Sequence, residues 1–405
     1  MAGLVLLLVA VGGVFLFHDG GGEVPPSARP APGSGSGSER NDAVEGLLSR
    51  LQAGLTDGRR REVLALAASG NEEAATSLGT IYDNAHALGL TDLSLHLVDG
   101  NLPRAGAGIW AADVQVSWRI PGYDANPSRM QVPFAFARTR AGARVVSVGG
   151  HLDDSAVPLW LATDLVVTRS RRALVMVAGG GGGRSYSLLA DRATADVGRV
   201  LIDWRGKLVV EVPGSQEELE RVIGAEDNTY QAIAAITSTA GGSLEPSSPA
   251  HILVNPTVFG RLGRDGAQIV MSHEATHVAT AAATSTMPMW LLEGFADYVA
   301  FASVNLPVSV TAGQIMAEVR RSGPPARLPG PKEFDPTNEA LGSTYEAAWL
   351  ACRFLAKRYG EPALSDFYVA VDRGTTVQTA FERLLGTSRR EFTSQWQAYL
   401  RRLAT

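Results

Sequence analysis

The sequence predicts an α+β protein: a helix-plus-antiparallel-sheet part, then a small sheet and a mostly helical C-terminal lobe. Three textures carry that expectation. Residues 43–100 show apolar positions at helical spacing, with Val44, Leu47, Leu48 and Leu51 three and four apart. From Ala111 the runs VQVSWRI, QVPFAFAR and ARVVSVGG alternate and are rich in β-branched residues, with Gly, Pro and Asn at the breaks. From residue 266 to the end the pattern is almost entirely helical.

The elements follow in chain order. Ala2 to Phe17 is an uncharged, mostly apolar run, which as a helix spans roughly 24 Å, slightly short for a bilayer core. An uncleaved membrane anchor is expected for residues 1–17. Asp19 and Glu23 follow it with no Lys or Arg before Arg29, which favours the bulk of the chain outside the cytoplasm. The alternative is a secreted chain, but no basic residue precedes the run and no clean small-x-small cleavage site follows. Residues 18–42, rich in Gly, Pro and Ser, read as a flexible linker. Residues 43–165 form an accessory α+β domain, whose helices followed by a curved sheet resemble nuclear transport factor 2-like domains in element order.

Residues 166–405 form the second domain. The five glycines Gly179–Gly183 lack the Gly-Lys-Ser/Thr of a phosphate loop and read as a pliable connection into the helical stretch SLLADRATADVGRVL. Beyond it come a strand KLVVEVP, a helix opened by a capping box at Ser215 and Glu218, and the strands AIAAITS and HILVNP. The formal charge of −5 gives no electrostatic footprint for nucleic acid, so none is expected as a partner. The short basic clusters at Arg59–Arg61, Arg169 to Arg172 and Arg389–Arg390 read as solvated faces. Cys352 is the single cysteine, and its apolar neighbours make it a buried structural thiol.

The chemistry concentrates in QIVMSHEATHVATAAA. His273 and His277 stand four apart, which on a helix places both imidazoles on one face with Cβ atoms about 5 to 6 Å apart. Two such nitrogens can meet one ion at about 2.0 to 2.1 Å, and Glu274 beside the first can act as base. Apart from Glu274, no charged residue lies between Gln268 and Ser285. A second apolar segment, PMWLLEGFADYVA, holds Glu293 and Asp297 four apart. Two buried like charges at this spacing repel, and a cation removes the difficulty. Glu293 is then the third ligand, and Asp297 accepts a hydrogen bond from the far nitrogen of a ligating histidine. That set leaves one metal position open, as in catalytic sites.

His273-Glu274-x-x-His277 followed by Trp290-Leu291-x-Glu293-Gly294-x-Ala296-Asp297-Tyr298 resembles the gluzincin zinc metallopeptidases of the thermolysin-like clan, in particular peptidase MA-like domains. The resemblance covers roughly residues 200–400. It implies one zinc ion held by His273, His277 and Glu293, with Glu274 as general base and a peptide or protein as substrate. It also implies a tyrosine or histidine that stabilises the oxyanion, for which Tyr345 in GSTYEAAWLACRFL is the candidate. HILVNP resembles the edge strand along which such enzymes lay an extended peptide. His251, which opens that run, reads as a surface histidine, as do His86, His96 and His151. The competing function is a catalytically silent zinc-binding module of peptidase-like fold. No oligomeric state is implied.

Overall fold

The computed structural model describes residues 35–99, 108–140, 142–149, 156–226, 228–243, 245–335 and 338–405. The expected anchor at 1–17, most of the linker, and His151 lie outside these residues. Among the described residues no helix is long and apolar enough to cross a membrane.

The chain begins with α1 (Gly35–Thr56), α2 (Arg60–Leu64) and α3 (Glu72–Leu88), which pack on a four-stranded antiparallel meander. Its strands are β1 (Thr91–Asp99), β2 (Ile109–Arg119), β3 (Ser128–Thr139) and β4 (Gly142–Val148), paired in chain order. Two boundaries differ from expectation. The helix α1 starts at Gly35, so residues 35–42 are not linker. Residues 91–99, inside the span read as helical, form β1. The cause is local: Asn71 caps the start of α3 through the Ala74 N–H, and Gly89, at φ +65°, stops it in the left-handed region only glycine adopts cheaply. Beyond that stop, Leu93, Leu95 and Leu97 alternate, and Leu95 and Leu97 pair with Val116 and Val114 of β2.

A short helix α4 (Leu159–Ala162) leads into a five-stranded sheet of β5 (Leu165–Arg169), β6 (Ala173–Ala178), β7 (Leu208–Val212), β8 (Ala235–Thr239) and β9 (Ala250–Val254). The spatial order is β5-β6-β7-β9-β8, with β6, β7 and β9 parallel and both outer strands antiparallel. The crossovers are α5 (Gly183–Val200) between β6 and β7 and α6 (Gln216–Ile223) after β7, the latter opened by Ser215 accepting the Glu218 N–H as predicted. This sheet is a shared wall. Met176, Val209, Ile236 and Leu253 face the core of the N-terminal body, while Val175, Val210, Ile252 and Val254 face the C-terminal helices. A sheet covered on both faces explains why every residue of β6 and β7 is buried. The strand order corrects one expectation: HILVNP is not at the edge. It forms β9, held between β7 and β8, and the edge strand is β8, from AIAAITS.

The rest is helical: α7 (Pro256–Phe259), α8 (Arg264–Ala279), a 3₁₀ turn at Ala282–Thr284, α9 (Met289–Phe301), α10 (Val308–Thr311), α11 (Gly313–Ser322), α12 (Leu341–Tyr359), α13 (Glu361–Asp372), α14 (Val377–Leu385) and α15 (Arg389–Ala404). The helix α8 packs against α5, α9 and β8, and α12 covers α9. At Gly294 the approach of α9 to α12 is so close that a Cβ would lie 2.4 Å from the Ala348 carbonyl oxygen.

Candidate metal centre

From Ala267 to His277 every residue of α8 is buried. The helix is tied to α5 by polar contacts: Ser272 Oγ donates to Asp196 Oδ2 at 2.7 Å, and Gln268 Nε2 donates to the Leu189 carbonyl at 3.3 Å. These bonds fix the rotation of α8 and turn His273 and His277 toward α9. Their rings meet edge-on with centroids 4.5 Å apart.

Three donor atoms converge there. His273 Nε2 and His277 Nε2 are 2.8 Å apart, and Glu293 Oε2 lies 3.2 Å from the first and 3.6 Å from the second. In a tetrahedral site with bonds of about 2.0 to 2.1 Å, donors stand roughly 3.3 Å apart, so the triangle brackets the required size. Neither contact of Glu293 has hydrogen-bond geometry, and both its oxygens lack a partner, as do Glu274 Oε1 and His277 Nδ1. Two imidazole nitrogens at 2.8 Å face each other favourably only with a proton or a cation between them. All three side chains are fully buried, so this group can hold a metal ion. Behind it, Asp297 Oδ1 lies 2.8 Å from His273 Nδ1; that N–H donates to the carboxylate, which aims Nε2 at the centre.

Burial opposes a charge on His273, yet Asp297 and then Glu293 outweigh it and lift its pKa to about 10, so a cation binding there would displace a proton from Nε2. Burial and the adjacent His273 hold His277 down to about 4, so it presents a neutral imidazole. Burial also raises Asp297, against the pull of His273. Glu293 moves down despite burial, because both histidines stabilise its charge. Such a pocket concentrates negative charge that a divalent ion neutralises.

Glu274 points from α8 toward the edge strand. Thr237 Oγ1 on β8 donates to Glu274 Oε2 at 2.7 Å. Burial pushes the Glu274 pKa up to about 7, against the influence of His273 and the Thr237 hydrogen bond. A carboxylate poised there can both take and return a proton near neutral pH.

The structure thus brings together His273, Glu274, His277, Glu293 and Asp297 from two helices. No family model matches this chain, and a search of curated proteins finds no match. Tyr345 is buried on α12 with its ring edge-on to Phe334 at 5.1 Å. A second tyrosine, passed over in the sequence, lies within the electrostatic influence of Glu293. Tyr368 on α13 stacks on Phe295 at 4.3 Å; burial, then Asp372 and Glu293, raise its pKa, with a Thr280 hydrogen bond opposing. Nothing in DFYVAV distinguishes it from a core aromatic. Cys352 is buried on α12, as expected.

The histidines outside the motif divide. His86 and His96 are exposed, in line with expectation. His251 is not a surface residue: it is 1% exposed, between Glu211 of β7 and Asp124 of the turn after β2. The interior position of β9 is the reason, since its alternate residues face the N-terminal body.

Proposed function

We propose that this chain is a zinc-dependent metallopeptidase of gluzincin type, acting outside the cytoplasm at a membrane. One observation carries the reading: two imidazole nitrogens and a carboxylate oxygen converge within 3.6 Å of one another, with Asp297 behind His273 and Glu274 alongside. Imidazole with carboxylate suits zinc better than calcium or magnesium, which prefer oxygen alone. When bound, zinc supplies a Lewis acid that activates water and polarises a peptide carbonyl.

The chain's own residues supply the rest. Glu274 takes the proton of the attacking water and returns it to the leaving amine. Thr237 orients that carboxylate from β8. Among the described residues β8 pairs only with β9, so its other side offers main-chain groups to an extended peptide. The membrane part of the proposal rests on the apolar run Ala2–Phe17.

The test measures metal content and peptide hydrolysis together in the wild type and in Glu274→Gln. The variant is expected to keep about one metal per chain and to lose about 100-fold or more in turnover, because only the base is removed. Equal turnover in both proteins removes the catalytic assignment. Bound metal with no hydrolysis in either, across a broad peptide library, makes the chain a silent zinc-binding module instead.

A further inference from the structure

Behind β8, on the side of the sheet facing away from the metal centre, the sheet and the N-terminal body bound a cavity of about 140 Å³. Its walls are largely apolar: Trp118, Ile120, Met130, Trp160, Val222 and Leu253 border it. The size approaches the roughly 150 Å³ of a dry apolar cavity that accepts benzene.

One end is different. His251 and Glu211 border the cavity there, and both ring nitrogens of His251 are held by carboxylates: Nδ1 2.6 Å from Glu211 Oε1 and Nε2 3.0 Å from Asp124 Oδ1. Ionised carboxylates only accept, so both contacts call for N–H and the ring is an imidazolium. Two acids against one cation leave a buried net charge of about −1. Asp124 uses its second oxygen to accept the Ile120 N–H at 2.9 Å. For the second oxygen of Glu211, whose side chain is 11% exposed, no donor stands within hydrogen-bond distance among the described residues. No lysine or arginine lines the cavity among those residues either.

We propose that this cavity is a binding site for a small hydrocarbon amine, its body among the tryptophans and aliphatic side chains and its ammonium on the free oxygen of Glu211. The apolar walls select the body, and the unneutralised carboxylate selects a cationic head over a neutral or anionic one. Trp118 and Trp160, with ring centroids 6.0 Å apart, offer aromatic surface to the hydrocarbon body. The cavity lies apart from the metal centre, so its occupancy reads the same whether or not the chain hydrolyses peptides.

The experiment titrates the full chain with benzylamine, toluene and phenylacetate by calorimetry at neutral pH. Benzylamine is expected to saturate one site and to bind about tenfold or more tighter than toluene, with phenylacetate weakest. Val222→Phe, which fills the cavity from α6 and leaves the ion cluster intact, is expected to abolish binding while the circular dichroism spectrum is unchanged. Glu211→Gln is expected to bring benzylamine within about twofold of toluene. Should that variant not fold, the wild-type series alone still decides. Equal binding of toluene and benzylamine, preference for phenylacetate, or no saturable benzylamine binding overturns the proposal.

Discussion

Replacing Gly294 by alanine is expected to damage both the fold and the metal centre, because that glycine sets the distance between α9 and α12. The added Cβ would stand 2.4 Å from the Ala348 carbonyl oxygen and 3.0 Å from Cys352 Sγ. Carbon–oxygen contacts do not form below 3.0 Å and become ordinary near 3.4 Å, so the helices must separate by about 0.6 to 1 Å. The obstruction is backbone, not a side chain that can rotate away. Overpacking of this kind costs about 1 to 3 kcal/mol, or roughly 3 to 10 °C in melting temperature for a domain of this size. Glu293 is the preceding residue, and metal sites tolerate ligand displacements of only about 0.2 Å, so zinc affinity is expected to fall by about tenfold or more. Gly198, in α5, is the control: it has no atom within 4 Å of its would-be Cβ, and alanine there is expected to stabilise by about 0.5 to 1 kcal/mol. Thermal melts in chelator and in excess zinc separate the packing cost from the metal cost, and competition with a chromophoric chelator gives the affinity. A Gly294→Ala protein that matches the wild type in both measurements refutes the reasoning.

Three other perturbations probe separate contacts. Asp297→Asn is expected to fold and to bind zinc about 10- to 100-fold more weakly, since the carboxylate that fixes His273 is lost; an unchanged affinity by chelator competition counts against that role. Thr237→Val removes a hydrogen bond that favours the charged form of Glu274, whose pKa stands near 7; the acidic limb of kcat/KM should move to higher pH, and a limb that stays or moves down contradicts the assignment. Burial opposes a charge on His251, but Asp124 and Glu211 lift its pKa from 6.5 to about 10. A raised folded-state value means the stabilisation is fully present below about pH 6.5 and is lost as pH rises through about 10. Stability should therefore decline across that window by up to about 5 kcal/mol, and the decline should vanish in His251→Gln. A wild-type denaturation midpoint that is level from pH 7 to pH 10 sinks this account.

The candidate ligand residues were legible because their signal is local. Imidazoles and acids at four-residue spacing inside apolar helices are costly to bury, and the period of a helix places each pair on one face without knowledge of the fold. The sheet order was not legible for the opposite reason. That β9 inserts between β7 and β8 is decided by long-range pairing, and the local texture of HILVNP suits an edge or an interior strand equally. The burial of His251 followed from that missed order, since its partners lie 40 and 127 positions away. One hint existed: Glu211 is the lone charge in LVVEV, a fully buried strand, and a carboxylate there needs a partner. The strand β1 was missed because the helical reading ran past Gly89, where a left-handed stop had already ended α3.

The same sheet thus separates two buried clusters of histidine and acid, and the contrast between them bears on the metal. Around His251 the chain supplies nearly all of its own compensation: both ring nitrogens meet carboxylates, and Asp124 is completed by a backbone N–H. Around His273 it does not. The nitrogens of two histidines face each other at 2.8 Å, both oxygens of Glu293 lack donors, and the spare oxygen of Glu274 is unpartnered. A cluster shaped for internal neutralisation would turn those atoms toward hydrogen-bond donors, as His251 and Asp124 turn theirs. Their convergence on one point instead is what a cation rewards: it needs the lone pairs aimed at a common centre and supplies the positive charge that the surrounding helices withhold.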